Sequence, residues 1–305
     1  NNSHPFLTVV SDGLILPGDT IKMLRFTALA VCCALALGAC SQKDSAQPSG
    51  SASGVMASAK IEGPSVTVKT TRGEAVVPRN PERVAVYDLG MLDTLNKLGV
   101  PTGVSVDKNL LPYLDAYFKQ TKPAGTLFEP DYEALNAYKP QLVIIGSRTA
   151  KAFDQLNRIA PTIEMTADTA HLKDSAKERI DALAQIFGKQ AEADKLKAEI
   201  NASFEAAKAA DSSIKEKGNH GQPVTFEYIK KTNPDWLFVL DCSAAIGEEG
   251  KAAKDVLDNP LVAETTAWKK GQVVYLPPET YLAAGGTQEL LNASKQVTEA
   301  FNAAE

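Results

Sequence analysis

A pattern of fifteen polar and apolar positions occurs twice along the chain. Residues 131–145 read Asp-Tyr-Glu-Ala-Leu-Asn-Ala-Tyr-Lys-Pro-Gln-Leu-Val-Ile-Ile, and residues 225–239 read Thr-Phe-Glu-Tyr-Ile-Lys-Lys-Thr-Asn-Pro-Asp-Trp-Leu-Phe-Val without a gap. Each copy has a helix-capping residue, an aromatic residue, Glu, one short amphipathic helix, Pro and a buried apolar strand. Two copies predict two similar lobes with a cleft between them.

The hydrophobic pattern around the first copy predicts a parallel sheet. Apolar strands are expected at 66–69, 83–87 and 104–106, and an amphipathic helix is expected at 89–98, where Gly99 ends it. This order of strand, helix and strand is typical of parallel α/β structure. In the second half, strands at 236–240 and 273–276 and a final helix over 288–300 are predicted in the same way.

A long helical stretch separates the two halves. Gly188 divides it into a helix over 172–187 and a second helix over about 191–215. At 1.5 Å per residue the second helix is about 38 Å long. Two interpretations stay open at this point: a helix that runs across both lobes, or a solvated surface helix.

The N-terminal region predicts a secretory signal rather than folded structure. Basic residues flank Met23, an apolar run follows over 26–36, and Leu-Gly-Ala-Cys closes it at Cys40. The run is shorter than the roughly 20 residues that a membrane-spanning helix needs. The closing tetrapeptide resembles a bacterial lipobox, which implies cleavage before Cys40 and lipidation of its thiol. An ordinary signal peptide with an accidental cysteine is the alternative.

The expected domain boundaries follow from these segments. Residues 1–39 are upstream residues plus signal peptide, 40–60 are the lipidated Cys and a Ser/Ala/Gly tether, and 61–170 are the N-terminal lobe. Residues 171–217 are the helical segment, and 218–305 are a shortened C-terminal lobe. We assign no element of the fold to residues 1–22.

Composition excludes several classes of function. The net charge is −5 and there is no basic stripe, which disfavours nucleic-acid binding. After signal cleavage only Cys40 and Cys242 remain, so no intramolecular disulfide framework is available. Nucleophile-elbow, P-loop, zinc-protease and dinucleotide motifs are all missing from the sequence. We therefore expect a protein that is not an enzyme and has no intrinsic cofactor.

Several short stretches, taken in order, carry a resemblance to a known family. They are residues 78–86 (Pro-Arg-Asn-Pro-Glu-Arg-Val-Ala-Val), 88–93 (Asp-Leu-Gly-Met-Leu-Asp), both repeats, His220-Gly221, and 281–285 (Tyr-Leu-Ala-Ala-Gly). Over most of 66–305 the chain resembles the substrate-binding lipoproteins of ABC importers for ferric siderophores, especially binders of the catecholate (enterobactin) type. The resemblance implies two α/β lobes joined by one long helix. It also implies a monomer, held by lipid to the inner or outer membrane in the periplasm, that delivers its ligand to a permease dimer.

The resemblance also implies the ligand-binding residues. Arg148 matches an arginine that contacts the catecholate, and His220 and Tyr281 match a pair that contacts the siderophore-bound iron. The chemistry is reasonable, because a guanidinium is charged and stacks on rings, and ferric iron accepts phenolate and imidazole ligands. The alternatives are a surface ion pair for Arg148, a loop histidine that bonds only backbone for His220, and an ordinary half-buried tyrosine for Tyr281.

Two further positions are equivalent in the repeats. Glu133 and Glu227 match the carboxylates with which the family docks on its two permease subunits. The alternative is a first-turn Glu favoured by the helix dipole, an effect of about 0.3–1 kcal/mol.

The chain departs from the family at two places. Cys242 stands where the family has another arginine, and the repeat independently aligns Cys242 with Arg148. In addition, Lys215 is joined to His220 almost directly, where the family has a strand–loop–helix segment. These departures leave alternative functions open: a binder of another ligand, such as a metal ion, haem or a corrinoid, or a degenerate allele with impaired binding.

Overall fold

The structure is a computed structural model that describes residues 61, 63–210, 225–241, 245 and 253–304, together with the backbone of residues 6–11. The strands are β1 (Phe6–Ser11), β2 (Ser65–Thr70), β3 (Gly73–Pro78), β4 (Val84–Tyr87), β5 (Val104–Ser105), β6 (Lys122–Pro123), β7 (Leu142–Ile145), β8 (Thr162–Glu164), β9 (Trp236–Asp241) and β10 (Val273–Leu276). The helices before the second repeat are α1 (Leu89–Lys97), α2 (Asp115–Phe118), α3 (Tyr132–Tyr138), α4 (Phe153–Ile159), α5 (Leu172–Phe187) and α6 (Gln190–Ala210). The later ones are α7 (Phe226–Thr232), α8 (Ala253–Leu257), α9 (Pro260–Ala263), α10 (Thr266–Lys269), α11 (Glu279–Leu282) and α12 (Thr287–Asn302). Within these described segments, no helix has the length and apolar character needed to cross a membrane.

The first lobe is built on a parallel sheet of five strands in the order β6-β5-β4-β7-β8. The predicted parallel arrangement is confirmed, with α1 as the crossover between β4 and β5. The two central strands β4 and β7 are buried over their whole length, as their continuous apolar sequences predict. An antiparallel hairpin of β2 and β3 precedes this sheet.

The second lobe contains a smaller parallel sheet in the order β1-β9-β10. The strands predicted at 236–240 and 273–276 are both present, and β9 lies in the centre. Two parallel-sheet lobes confirm the predicted fold class.

The first strand of that smaller sheet comes from an unexpected part of the chain. We assigned no element to residues 1–22, whereas Phe6–Ser11 pairs in parallel with β9 from Phe6 opposite Trp236 to Ser11 opposite Asp241. The segment reads Phe-Leu-Thr-Val-Val-Ser, a composition that favours strands. A strand edge with free amide and carbonyl groups accepts such a segment, which explains the pairing in physical terms.

The two copies of the repeat fold alike. Asp131 accepts hydrogen bonds from two amides of the first turn of α3, and Thr225 accepts one from the first turn of α7. Both helices end on a left-handed residue, Lys139 with φ 54° and Asn233 with φ 47°. The predicted order of cap, short helix, turn and buried strand is confirmed in both copies.

The long helix α6 joins the cores of the two lobes. Its described part has 21 residues, or about 32 Å. Ala193, Leu196 and Ile200 belong to the core of the first lobe. Ala210 packs against a cluster formed by Trp236 and Val274 of the second sheet and Phe301 of α12. Of the two interpretations left open above, the structure supports the helix that runs across both lobes.

The N-terminus of α12 is tied to the first lobe by a buried carboxylate. Asp93 of α1 is fully buried and accepts hydrogen bonds from the amides of Gln288 (2.8 Å) and Glu289 (2.9 Å). The hydroxyl of Tyr113 also donates to it, at 2.9 Å. Gly286, which precedes α12, has no side chain to serve as a cap, so a residue nearly 200 positions earlier in the sequence caps the helix instead.

Replacement of Asp93 by Ala is therefore expected to destabilise the whole protein. The change leaves one buried amide, one half-buried amide and one hydroxyl without their acceptor, and we expect the free energy of unfolding to fall by about 3 kcal/mol. Urea denaturation of Asp93→Ala measures this, with the exposed Asp258→Ala as the matched control. An equal loss in both variants would contradict the assigned role of Asp93.

Candidate ligand-binding site

The candidate site lies where the central strands of the first sheet end. Asp88 follows β4, and Gly146 and Arg148 follow β7. These two strands are neighbours and parallel, so their carboxyl ends meet at one edge of the sheet. Ligands of open parallel sheets bind at this edge.

Arg148 and Tyr281 lie in direct contact. Arg148 is half-buried, and its two terminal nitrogens donate to the backbone carbonyls of Tyr281 (3.1 Å) and Leu282 (3.3 Å). The guanidinium carbon lies 4.7 Å from the centre of the Tyr281 ring, which is a cation–π contact. The structure thus brings together two of the three residues expected to bind ligand. It pairs Arg148 with the Tyr281 loop, by which we mean residues 279–286, in the segment between β10 and α12 that includes the one-turn helix α11.

A second arginine, Arg179, also donates a hydrogen bond to this loop. Arg179 of α5 is buried (4% exposed) and donates to the carbonyls of Met165 (3.0 Å) and Ala284 (3.3 Å). Gly285 has φ +75°, and a Cβ there would overlap the Arg179 guanidinium, so glycine is required. Burial lowers the pKa of Arg179, an effect that the carboxylates of Asp88 and Asp93 oppose.

Asp88 supplies the negative charge next to these two arginines. It is the N-cap of α1 and accepts the amide of Met91 at 2.8 Å. Burial raises the pKa of Asp88, and the guanidinium groups of Arg179 and Arg148 oppose that rise. A Cβ on Gly146 would overlap the carboxylate of Asp88, so the first residue after β7 must also be glycine.

Sequence reasoning missed Asp88 and Arg179. An Asp directly after an apolar strand is a helix-cap signal, so Asp88 could have been found from the sequence. Arg179 lies between Glu178 and Ile180 in an amphipathic helix, where a charged residue reads as part of the polar face. Its contact with Ala284 spans more than 100 positions and leaves no local trace.

Other expected site residues fall in two groups. His220, Cys242 and Cys40 lie outside the described residues. Glu133 and Glu227 are exposed in the first turns of α3 and α7, at equivalent positions of the two repeats. Their role in docking stays a prediction.

No group of three or more His, Cys, Asp or Glu side chains able to hold a metal ion occurs in the described part of the chain.

Comparison with known proteins agrees with a two-lobe binding protein. The family described as periplasmic binding protein matches residues 84–219 and 210–280. The chain belongs to this family.

Similar proteins of the family bind siderophores. The petrobactin-binding protein YclQ of Bacillus subtilis is 34% identical over 72% of this chain and 83% of its own length. Its crystal structure superposes with a TM-score of 0.71 at 31% identity, covering 78% of this chain and 99% of that one. The ferric-anguibactin-binding protein FatB of Vibrio anguillarum is 28% identical over 71% of this chain and 81% of its own length. The periplasmic catecholate-siderophore binding protein VctP of Vibrio cholerae has a TM-score of 0.67 at 25% identity, covering 79% of this chain and 100% of that one.

The resemblance to siderophore-binding proteins that the sequence indicated is confirmed by these relatives. All three are named as binding proteins, in agreement with a binding role.

The first turn of α12 contains a carboxyl group, that of Glu289, whose pKa is raised towards neutrality. Glu289 is only 3% exposed, and burial, with the nearby carboxylates of Asp93 and Glu279, raises its pKa to about 7. Its ordinary pKa is 4.5. Between these two pH values the folded protein keeps the proton that the unfolded chain has lost, so stability falls as the pH rises through this range.

Replacement of Glu289 by Gln is expected to remove this fall in stability with rising pH. Relative to the wild type, Glu289→Gln should gain up to about 3 kcal/mol in unfolding free energy between pH 4.5 and pH 8. Thermal unfolding across this pH range measures the difference, with the exposed Glu299→Gln of the same helix as control. Parallel pH profiles for wild type and Glu289→Gln would refute the assigned titration.

Proposed function

We propose that this chain is a lipid-anchored periplasmic binding protein that captures a ferric catecholate siderophore and delivers it to an ABC importer for iron uptake. The observation that carries the proposal is the contact of Arg148 with the ring of Tyr281 at the carboxyl edge of the first sheet. The names of YclQ, FatB and VctP support siderophore binding, and that of VctP supports the catecholate class.

The chemistry of the two side chains fits such a ligand. A ferric tris-catecholate is a trianion with aromatic faces, and a guanidinium offers it both a permanent charge and a planar surface for stacking. Arg148 already stacks on one aromatic ring, so its orientation suits a second ring of the same kind. The phenol oxygen of Tyr281 is a hard donor that suits ferric iron left open by a tetradentate catecholate.

The remaining parts of the proposal concern four residues that the family resemblance singles out. His220 is the proposed second ligand to the open iron, Cys40 is the proposed site of lipidation, and Glu133 and Glu227 are the proposed contacts to the two permease subunits. Two exposed carboxylates at equivalent positions of two lobes suit a partner with two-fold symmetry.

Loss of the Arg148 guanidinium is expected to weaken ligand binding. Tryptophan fluorescence titrated with ferric enterobactin and with a ferric tetradentate catecholate should give an affinity at least about tenfold weaker for Arg148→Gln. The exposed Arg79→Gln changes the net charge equally and should bind like the wild type. Absence of quenching below millimolar concentration in the wild type would refute the proposed function.

The departure at Cys242 permits a test by gain of function. A neutral thiol supplies no charge to a trianion, so Cys242→Arg should tighten ferric enterobactin binding, by about tenfold or more. Cys242→Ser is the matched control, because it changes the thiol without adding charge. Equal affinity of wild type and Cys242→Arg would place residue 242 away from the ligand.

A further inference from the structure

The turn after β6 presents a phenylalanine to solvent at the same edge of the first sheet. Phe128 is 59% exposed, the most exposed of the large apolar side chains in the described ranges. An exposed apolar side chain alone is ordinary in soluble proteins. Phe128 differs from such residues because its turn is hydrogen-bonded and adjoins Arg148.

The turn that carries Phe128 is held rigidly by its own hydrogen bonds. The amide of Thr126 donates to the carbonyl of Glu129 at 2.9 Å. The hydroxyl of Thr126 accepts the amides of Phe128 (3.2 Å) and Glu129 (3.0 Å). Gly125 has φ +95°, a Cβ there would overlap the backbone of Glu129 and Asp131, and its amide donates to Asp107 at 2.8 Å. Because the backbone of the turn is already fixed, little backbone entropy is lost when the ring at its tip binds a ligand.

One hydrogen bond fixes this turn next to Arg148. The buried hydroxyl of Thr149 donates to the carbonyl of Leu127 at 2.5 Å and contacts the carbonyl of Tyr87, at the end of β4, at 3.1 Å. Leu127 precedes Phe128, and Thr149 follows Arg148. Phe128 and Arg148 are therefore each one residue away in sequence from the hydrogen bond between Thr149 and Leu127.

We propose that Phe128 is a specificity-determining residue that contacts an aromatic ring of the bound ferric siderophore, while Arg148 contacts its charge. This inference rests on the proposed function and adds to it a residue, Phe128, that recognises the catechol ring itself. Two aromatic rings in contact prefer particular relative orientations, and their interaction contributes binding free energy beyond that of burying apolar area.

The test separates the ring of Phe128 from its size. Titration of ferric enterobactin should show about tenfold weaker binding for Phe128→Ala and for Phe128→Leu, which keeps apolar area but no ring. Phe128→Trp and Phe128→Tyr should bind like the wild type. The matched control is Tyr228→Ala, since Tyr228 is an aromatic residue of similar exposure (50%) on α7 of the second lobe.

The outcomes distinguish this inference from the proposed function. If the wild type binds ferric enterobactin and Phe128→Ala binds equally well, Phe128 does not contact the ligand and the inference is wrong. Wild-type affinity of Phe128→Leu would show that the contact does not need a ring, which also overturns it. If Phe128→Ala binds ferric enterobactin with unchanged affinity but iron uptake is impaired, Phe128 contacts the importer rather than the ligand, which also overturns the inference. Failure of the wild type to bind overturns both proposals, whereas weakening confined to Phe128→Ala and Phe128→Leu supports this one.

Discussion

The hydrogen bonds of Asp93 to the start of α12 are the constraint on which the candidate site depends. The loop that carries Tyr281 ends at Gly286, directly before this helix. Because α12 is fixed to the first lobe, the loop before it must lie over the carboxyl edge of the first sheet. There it meets two arginines, Arg148 and Arg179, whose side chains bond its carbonyls. The position of Tyr281 thus follows from a contact that involves neither Tyr281 nor a ligand.

Charge in the site is partly compensated before any ligand arrives, because one carboxylate lies near two guanidinium groups. Asp88 lies near both arginines, and its burial would be costly without them. A side chain on Gly146 would overlap the carboxylate of Asp88, and one on Gly285 would overlap the guanidinium of Arg179. An anionic ligand that draws on Arg148 must compete with the carbonyls of the Tyr281 loop. The proposed contact of Arg148 with a ligand is therefore coupled to the position of this loop.

Local sequence patterns predicted those features that depend on neighbouring residues. The capped helices and buried strands of both repeats, the parallel order of the first sheet and the long helix could all be predicted, because caps, turns and periodicity are local. The family resemblance predicted Arg148 and Tyr281, which the structure places in contact. The cap by Asp93 and the bond of Arg179 to Ala284 could not be predicted, since each joins positions more than 100 residues apart. The pairing of Phe6–Ser11 with β9 was missed for the same reason.

Under the proposed function, the two lobes contribute unequally to binding. In the first lobe, five strands support a charged edge that contains Arg148, Asp88 and a rigid turn. In the described part of the second, the sheet has three strands, one of them Phe6–Ser11, and the position equivalent to Arg148 in the sequence repeat is Cys242. A trianion placed between such lobes is attracted mainly to the first. Affinity then depends on how well the first lobe alone compensates for the ligand's charge, and an aromatic contact from Phe128 would compensate through stacking rather than charge.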